Sequence, residues 1–258
     1  MIQIFSRVCS KFLINYKILL SIFLELCRVT SASKDKYGTL YNEEFVYYES
    51  VFKDMENLVV LDIGANSGDW ALNFLNIRQK LSTTIFCIEP YPNLRLELLS
   101  RNNNSIEKFN FAIGENKYTD IIFSGFGTGG SAFSTKYQTD DSTEIIRVKS
   151  ISGDELIESK KIIPNLIKID VDGMDFEVIR SLRNSIKKYR PLVQFEFTKR
   201  FAVQADYTLK ECVKYLGELD YNVFVVDKNS KLKSIKIHRL EVIGIQTKNF
   251  IAIPNLVS

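Results

Sequence analysis

The sequence contains only one histidine, His238, which lies in a basic segment near the C-terminus. Imidazole is the commonest general base of enzymes, so a Ser-His-Asp triad or a histidine base at the edge of a sheet is not expected. Any acid–base chemistry would then fall to carboxylates, tyrosine or lysine.

Cysteine is equally sparse. The four cysteines, Cys9, Cys27, Cys87 and Cys212, are far apart and include no C-x-x-C pair. Structural zinc sites and disulfide frameworks need closer or more numerous cysteines. We therefore expect reduced thiols in a cytoplasmic protein, and no metal site.

No charge of one sign dominates the chain. It has 34 Lys and Arg against 31 Asp and Glu, and the formal net charge is +3. The basic residues form neither a long run nor a stripe interleaved with aromatic residues. A nucleic-acid partner is therefore not expected.

Long uncharged apolar runs are also missing. Residues 12–27 are apolar on nearly all sides, but Lys17 and Glu25 interrupt them, and the longest uncharged run, 18–24, is far shorter than the roughly 20 residues of a membrane span. We expect a helix that docks on the domain or joins its core. Weak association with the inner membrane surface is one alternative, and a signal peptide or span is another, opposed by Glu25 and Arg28.

The most informative stretch that is present is VVLDIGANSGD, residues 59–69. An apolar run enters a tight turn with Gly64 and Gly68, and an apolar-periodic helix start follows. This strand–loop–helix pattern lets a backbone approach a nucleotide-like ligand closely. A dinucleotide fingerprint would need glycine at Asn66. The form D-x-G-x-x-x-G, opened by Asp62, is instead typical of enzymes that bind S-adenosylmethionine.

A strand–helix alternation continues from this stretch. Four of the strands are nearly continuous apolar runs, which indicates a parallel sheet buried on both faces. We expect a doubly wound α/β domain with a mostly parallel, seven-stranded sheet over residues 51–258, after an N-terminal helical extension over residues 1–50. The predicted strands are Val59–Ile63, Ile85–Glu89, Phe109–Ile113, Ile167–Val171, Leu192–Phe197, Asn222–Val226 and Asn249–Ile253. The predicted helices are Glu43–Val51, 69–80, Pro92–Arg101 (with Pro92 at the first helical position), Phe176–Leu182 and Leu209–Leu219. The insertion at about 115–150 indicates a β-hairpin or a mobile loop.

Acidic residues stand where predicted strands end. Glu89 follows Gly68 by 21 positions, which suits a carboxylate that accepts both ribose hydroxyls of an adenosine; the alternative is a solvated residue at a strand end. Asp170 and Asp172 end the fourth strand and are expected to face the cofactor or the acceptor, although Asp172 could instead cap the next helix. Glu196 ends the fifth strand and either joins the site or pairs with a structural lysine or arginine.

The chain resembles the FkbM-type S-adenosylmethionine-dependent methyltransferases, a branch of the Rossmann-like class I methyltransferase fold. The resemblance covers about residues 57–198 and depends on an ordered set of motifs. They are VVLDIGANSGDW, FCIEPYP, NFAIGE, GTGGSAF, VKSISGDELI, NLIKIDVDGMDFEVIRSL and PLVQFEF. Where this family usually has D-V-E-G, the chain has Asp172 in place of the glutamate, which shortens that side chain.

The resemblance implies O-methylation of a hydroxyl on a small-molecule or glycan acceptor, such as a sugar, a polysaccharide precursor or a secondary metabolite. The cofactor is expected to be S-adenosyl-L-methionine. Its predicted binding residues are Asp62, Gly64, Asn66, Ser67, Gly68, Glu89, Pro90, Asn110, Ala112 and Asp170. The predicted catalytic residues are Asp170, Asp172 and Glu196, with Asp170 as the first choice. Two alternatives stay open: a non-catalytic scaffold that binds S-adenosylmethionine, and a nicotinamide-dependent oxidoreductase, which Asn66 opposes.

Overall fold

The computed structural model of the protein describes residues 43–78, 82–115, 118–124, 143–226, 231–234 and 247–255. Most of the predicted N-terminal extension lies outside the described residues, as do the glycine-rich part of the insertion and His238.

The described residues form the predicted strand–helix alternation, and they also form three helices that the sequence did not predict, at 153–160, 183–189 and 199–204. The described strands are β1 (Asn57–Ile63), β2 (Ser82–Ile88), β3 (Ile106–Phe109), β4 (Ala112–Ile113), β5 (Tyr118–Ser124), β6 (Thr143–Ile151), β7 (Leu166–Ile169), β8 (Leu192–Thr198), β9 (Tyr221–Val226), β10 (Leu232–Ser234) and β11 (Thr247–Pro254). The described helices are α1 (Glu43–Phe52), α2 (Asp69–Ile77), α3 (Leu94–Asn102), α4 (Gly153–Lys160), α5 (Asp175–Ser181), α6 (Arg183–Tyr189), α7 (Lys199–Gln204) and α8 (Leu209–Glu218).

The main sheet has eight strands in the order β10-β9-β11-β8-β7-β1-β2-β3. The five strands from β8 to β3 pair in parallel, whereas β11 pairs antiparallel with both β8 and β9, and β10 pairs antiparallel with β9. The doubly wound α/β prediction is confirmed. The strand missing from the prediction is β10, which has three residues and no apolar alternation.

The chain moves outward from β1 to β2 and β3, and then returns to the other side of β1 for β7 and β8. The strand order therefore reverses between β1 and β7. In open α/β sheets, ligands bind beyond the carboxyl ends of the strands at such a switch point. A ligand site is therefore expected at the residues that follow Ile63 and Ile169.

Helices cover both faces of this sheet, and strand residues alternate between the two cores. The α1–α3 face carries a core with Tyr48, Val60 and Phe74, and the α4–α8 face carries a larger core with Leu61 and Ile179. Helix α1 is part of the packed domain, and the predicted domain boundary at residue 50 falls inside it.

The predicted strand Phe109–Ile113 is wrong as one unit. β3 ends at Phe109 in the main sheet, and after a break at Asn110 the chain forms β4, which pairs with β6 in a separate three-stranded sheet. The alternation through KFNFAI looks like one strand, but β6 offers a second pairing partner to its C-terminal half. Strands β5 and β6 pair antiparallel, which confirms the hairpin alternative for the described ends of the insertion.

Helix α3 also begins later than predicted, at Leu94 rather than Pro92. The Asn93 side chain accepts hydrogen bonds from the backbone N–H of Arg95 (3.0 Å) and Leu96 (3.3 Å). Such an N-cap fixes the first turn, so Pro92 lies outside the helix.

Two further predictions concern membranes and thiols. No helix in the described part of the chain is long and apolar enough to cross a bilayer, and residues 12–27 lie outside that part. Cys87 and Cys212 are buried free thiols.

Candidate cofactor and catalytic site

The glycine loop lies between the ends of β2 and β7, and close packing dictates its composition. Gly64 has φ +79°, and a Cβ at this position would lie 1.9 Å from the backbone oxygen of Asp170. The backbone N–H groups of Gly64 and Ala65 both donate to the Ile88 oxygen, at 2.9 and 3.1 Å. A residue with a side chain at position 64 would therefore push β7 away from the loop.

The second loop glycine, Gly68, meets a different neighbour. Its φ is +77°, and a Cβ would lie 3.0 Å from methyl groups of both Leu96 and Leu99. The contact brings the start of α2 against α3. Packing against the β7 backbone thus requires glycine at position 64, and the positive φ favours glycine at position 68, so the protein itself shapes the loop before any ligand binds.

Glu89 lies at the carboxyl end of β2 and faces this loop. Its Oε2 accepts the N–H of Asn66 and its Oε1 accepts the N–H of Tyr91, both at 2.9 Å. Burial raises the pKa of Glu89, and the two backbone hydrogen bonds oppose that rise. The carboxylate is therefore oriented by the loop rather than freely solvated, and each oxygen keeps a lone pair for another donor.

The remaining loop residues hold one another. Asn66 adopts φ +48°, and its Oδ1 accepts a hydrogen bond from Asn93 Nδ2 at 3.4 Å. Ser67 Oγ donates to Asp69 Oδ2 at 2.8 Å, and Asp69 pairs with Arg95 at 2.6 Å. The backbone of the loop is thus fixed from both sides.

Asp62 lies beneath the loop, fully buried, with Lys168 as its partner. Lys168 Nζ is 3.1 Å from Asp62 Oδ1 and 3.3 Å from Asp170 Oδ2, and it donates to the Gly64 oxygen at 3.2 Å. Burial would lower the pKa of Lys168, but the charges of Asp62 and Asp170 outweigh it and raise that pKa. Burial raises the pKa of Asp62, against the attraction of Lys168.

Strand register aligns the predicted site residues in one row. Ile63 pairs with Ile88 and Ile169, and Ile169 pairs with Phe195. The residues that come next on these four strands are Glu89, Gly64, Asp170 and Glu196. Paired residues of neighbouring parallel strands lie side by side. The four residues that follow them therefore lie at the same level of the sheet edge, across the switch point.

Asp170, Asp172 and Glu196 form a carboxylate cluster at this edge. One oxygen of each lies within 4.8 Å of the others, close enough for a single cation to contact all three. Burial, followed by the charge of Asp170, raises the pKa of Asp172 to about 6 and that of Glu196 to about 7. Thr198 Oγ1 donates to Glu196 Oε2 at 3.2 Å. The structure thus brings together all three residues predicted to be catalytic.

The capping alternative for Asp172 is wrong. Helix α5 begins at Asp175, and its N-cap residue is Met174, which makes no side-chain cap. Asp172 instead adopts φ +49° in the turn. The buried Asp175 carboxylate accepts the N–H of Gly173 (3.0 Å) and Val171 (3.4 Å) and so fixes that turn.

Three other predicted cofactor residues flank the site. Pro90 follows Glu89 directly. Asn110 is exposed just after β3, whose Phe109 oxygen accepts the N–H of Glu89 at 3.0 Å. Ala112 opens β4 and pairs with Ser150. Contact of these three with a cofactor stays a prediction.

The sequence reasoning missed Lys168, Asp175 and a polar contact with α1. Tyr48 Oη donates to Gln194 Oε1 at 2.5 Å, and Glu44 Oε2 accepts from both Gln194 (3.4 Å) and Asn249 (3.2 Å). A lone lysine in LIKI and a glutamine two positions before Glu196 were the available signals. Both are polar residues inside apolar strands, which burial penalises unless they have partners.

Known protein sequences are similar to the part of the chain that forms this site. Residues 62–223, more than half of the chain, match the family model described as the methyltransferase FkbM domain. The chain is also 26% identical over 181 residues to the hexuronic acid methyltransferase AglP of Haloferax volcanii, and the alignment covers 67% of each protein.

Solved structures with similar topology include two methyltransferases. The methyltransferase FkbM from Methylobacillus flagellatus KT is 13% identical with a TM-score of 0.47, over 77% of this chain and 44% of that chain, so this chain spans less than half of that relative's length. The plantazolicin methyltransferase BpumL, solved in complex with SAH, is 12% identical with a TM-score of 0.45, over 88% of this chain and 90% of that chain. Since both scores are below 0.5, the fold assignment rests on the strand order itself.

Proposed function

The chain belongs to the FkbM methyltransferase family, and on that premise we propose that it transfers a methyl group from S-adenosylmethionine to a hydroxyl oxygen of a sugar, a polysaccharide precursor or a secondary metabolite. The observation that carries the proposal is the row Glu89–Gly64–Asp170–Glu196, which spans the switch point of the sheet. It provides a glycine loop with carboxylates on both sides.

The described residues fit this cofactor. Glu89 holds the loop with one lone pair on each oxygen and keeps others, which suits the two hydroxyls of a ribose. On the other side of Gly64, the carboxylates outnumber the one ammonium that lies among them, that of Lys168. An excess of negative charge in a partly buried site attracts a cationic ligand.

When bound, S-adenosylmethionine would supply an electrophilic methyl group. The protein then has two tasks: to align an acceptor oxygen, and to accept the proton of its hydroxyl. Alignment in well-oriented systems is worth up to roughly 7–11 kcal/mol. A carboxylate whose pKa lies near neutrality is suited to accept the proton of the acceptor hydroxyl, because it is ionised before the reaction and basic enough to become protonated.

Glu196 suits the role of the base better than Asp170, the first choice from the sequence. Lys168 lies 3.3 Å from Asp170 Oδ2 and so engages one of its two oxygens. Glu196 has a hydroxyl donor, Thr198, and a pKa raised to about 7. Asp172, with a pKa raised to about 6, is the second candidate. We infer that Glu196 is the base that takes the proton of the hydroxyl that is methylated.

The charge of the site also bears on the acceptor. A carboxylate on the acceptor would approach the cluster of Asp170, Asp172 and Glu196 and be repelled. We therefore propose a neutral hydroxylated sugar as a better acceptor than a hexuronic acid, the substrate named for the relative AglP.

Calorimetry and a transfer assay test the proposal. The purified protein should bind S-adenosylmethionine and S-adenosylhomocysteine and give no heat with NAD. Methyl-labelled S-adenosylmethionine is then incubated with neutral hexosides, hexuronic acids and aromatic alcohols. Binding without transfer to any acceptor would favour the scaffold alternative, and binding of NAD alone would refute the proposed chemistry.

A further inference from the structure

Lys168 is the charged residue of β7, in the otherwise apolar Leu166–Ile169, and its side chain is only 5% exposed. A buried ammonium is costly unless its donors are used. Three oxygens lie within 3.3 Å of Nζ: Asp62 Oδ1, Asp170 Oδ2 and the Gly64 carbonyl oxygen. The ammonium donates a hydrogen bond to the Gly64 oxygen, and the two carboxylate oxygens lie at ion-pair distance from it.

The three oxygens belong to three different parts of the site. Asp62 lies in β1, Gly64 opens the glycine loop, and Asp170 follows β7 and belongs to the carboxylate cluster. Asp62 alone would balance the charge of the lysine. The other two contacts connect the loop that is proposed to hold the cofactor with the edge that is proposed to receive the acceptor.

The arrangement is not the one that stability alone would favour. Both carboxylate oxygens of Asp62 are buried and accept no hydrogen bond of good geometry from the part of the chain that the structure describes, although Lys168 Nζ lies 3.1 Å from Oδ1. Asp170, by contrast, has a side chain that is 41% exposed and reaches the site. Buried ion pairs often stabilise a fold no better than apolar residues would. The contacts to Gly64 and Asp170 therefore call for another explanation.

We propose that Lys168 is a positioning residue for methyl transfer, whose ammonium holds the Gly64 carbonyl and the Asp170 carboxylate in one fixed arrangement. The proposal rests on the proposed function. It means that the cofactor loop and the acceptor side of the site cannot move independently. With one oxygen of Asp170 held by Lys168, the proton of the acceptor is left to Glu196 or Asp172.

Two variants of Lys168 separate positioning from folding. Lys168→Met removes the charge and leaves Asp62 buried without a partner, so it tests the fold most severely. Lys168→Arg keeps the charge, but a planar guanidinium cannot place its donors as an ammonium does. Lys187→Met, at an exposed position on α6, is the matched control.

Three quantities are compared between each variant and the parent. They are the melting temperature, the calorimetric affinity for S-adenosylhomocysteine, and kcat at saturating S-adenosylmethionine with an acceptor that the parent methylates. Lys168→Arg should keep its melting temperature within a few degrees, while affinity falls at least fivefold and kcat at least tenfold. Lys168→Met, where it folds, should lose more of both. If Lys168→Arg keeps affinity and kcat within twofold of the parent, Lys168 is only a counter-ion for Asp62, and the proposal is wrong.

Failure of the proposed function gives a different result. If the parent neither binds S-adenosylhomocysteine nor transfers methyl groups, hydrogen exchange decides the role of Lys168. The amides of Gly64, Ala65 and Asp170 donate to Ile88 and Ile63 and report on both connected segments. They should exchange at least tenfold faster in Lys168→Arg than in Lys187→Met. Equal exchange rates would overturn the connection itself.

Discussion

Glu89 combines two tasks in a single side chain, since it fixes the glycine loop and offers lone pairs to a ligand. We expect Glu89→Ala to weaken binding of S-adenosylhomocysteine by tenfold to a hundredfold or more. Each hydrogen bond to a charged group is worth about 1.5–3 kcal/mol, and the variant loses at least one of them. Calorimetry measures the loss, and circular dichroism checks that the fold is kept.

The exposed Glu107 of β3 provides the control for that measurement. Glu107→Ala should bind as the parent does. An unchanged dissociation constant in Glu89→Ala would mean that the carboxylate serves the loop alone.

Glu196 carries the second prediction at this scale. Glu196→Gln keeps the shape of the side chain and removes its basicity, so kcat should fall by about 10²–10⁴. The base must be ionised to accept a proton, and burial raises its pKa to about 7. In the parent, kcat/KM should therefore rise as the pH increases through about 7, and this rise should be absent in the variant. Initial rates of methyl transfer across this pH range provide the test.

The matched control is Glu158→Gln, at an exposed position on α4. It should reproduce the parental rate and pH profile. A near-parental kcat in Glu196→Gln would indicate that Asp172 is the base. If Asp172→Asn also kept a near-parental kcat, alignment of the acceptor alone would account for the rate.

Among the secondary-structure elements, the contact between the glycine loop and the end of β7 is the tightest at the site. Gly64→Ala would place a Cβ 1.9 Å from the Asp170 oxygen at φ +79°, so we expect a loss of more than about 3 kcal/mol in the free energy of unfolding. Gly217→Ala in α8 meets nothing within 4 Å and should gain roughly 0.5–1 kcal/mol. Urea unfolding of both variants gives the comparison. Equal stability of the two would refute the packing argument.

The same elements indicate what the sequence could predict. Short apolar runs that end in turn residues and alternate with helices, such as Val59–Ile63, indicate buried parallel strands, and acids after such strands meet at one edge of the sheet. This is why Glu89, Asp170 and Glu196 could be placed from the sequence. The start of α3 could not, because the side-chain cap of Asn93 competes with the preference of Pro92 for a first helical turn.

Contacts between distant segments were harder to predict. β4 leaves the main sheet because β6, which begins about thirty residues later, offers it a partner. Lys168 is a charged residue in an apolar strand. Two of its partners, Asp62 in β1 and the Gly64 oxygen in the loop, are over 100 positions away in the sequence. No local pattern encodes these contacts.

For the whole molecule, a buried carboxyl predicts how stability changes with pH. Burial, and then the charge of Asp170, raises the pKa of Asp175 from 3.8 to about 7. The folded state therefore binds the proton more tightly than the unfolded state. The resulting stability is fully present below about pH 4 and is lost as the pH rises through about 7.

Asp175→Asn removes this titration. From about pH 5 to about pH 8, the free energy of unfolding of the parent should fall relative to that of the variant, by at most about 4 kcal/mol. Because Asp172 and Glu196 titrate in both proteins, the difference between the two curves isolates Asp175. Parallel curves of unfolding free energy against pH would show that Asp175 is not protonated in the folded protein.

The contact between Lys168 and Gly64 has a consequence for folding of the chain during its synthesis on the ribosome. The two residues are 104 positions apart. At 5–20 residues per second, roughly 5–20 s pass between the synthesis of the loop and the arrival of β7. During that interval β1 has an open edge of unpaired backbone groups, and Asp62 has no cation beside it. The nascent chain is thus most exposed to mispairing while its first half waits for β7.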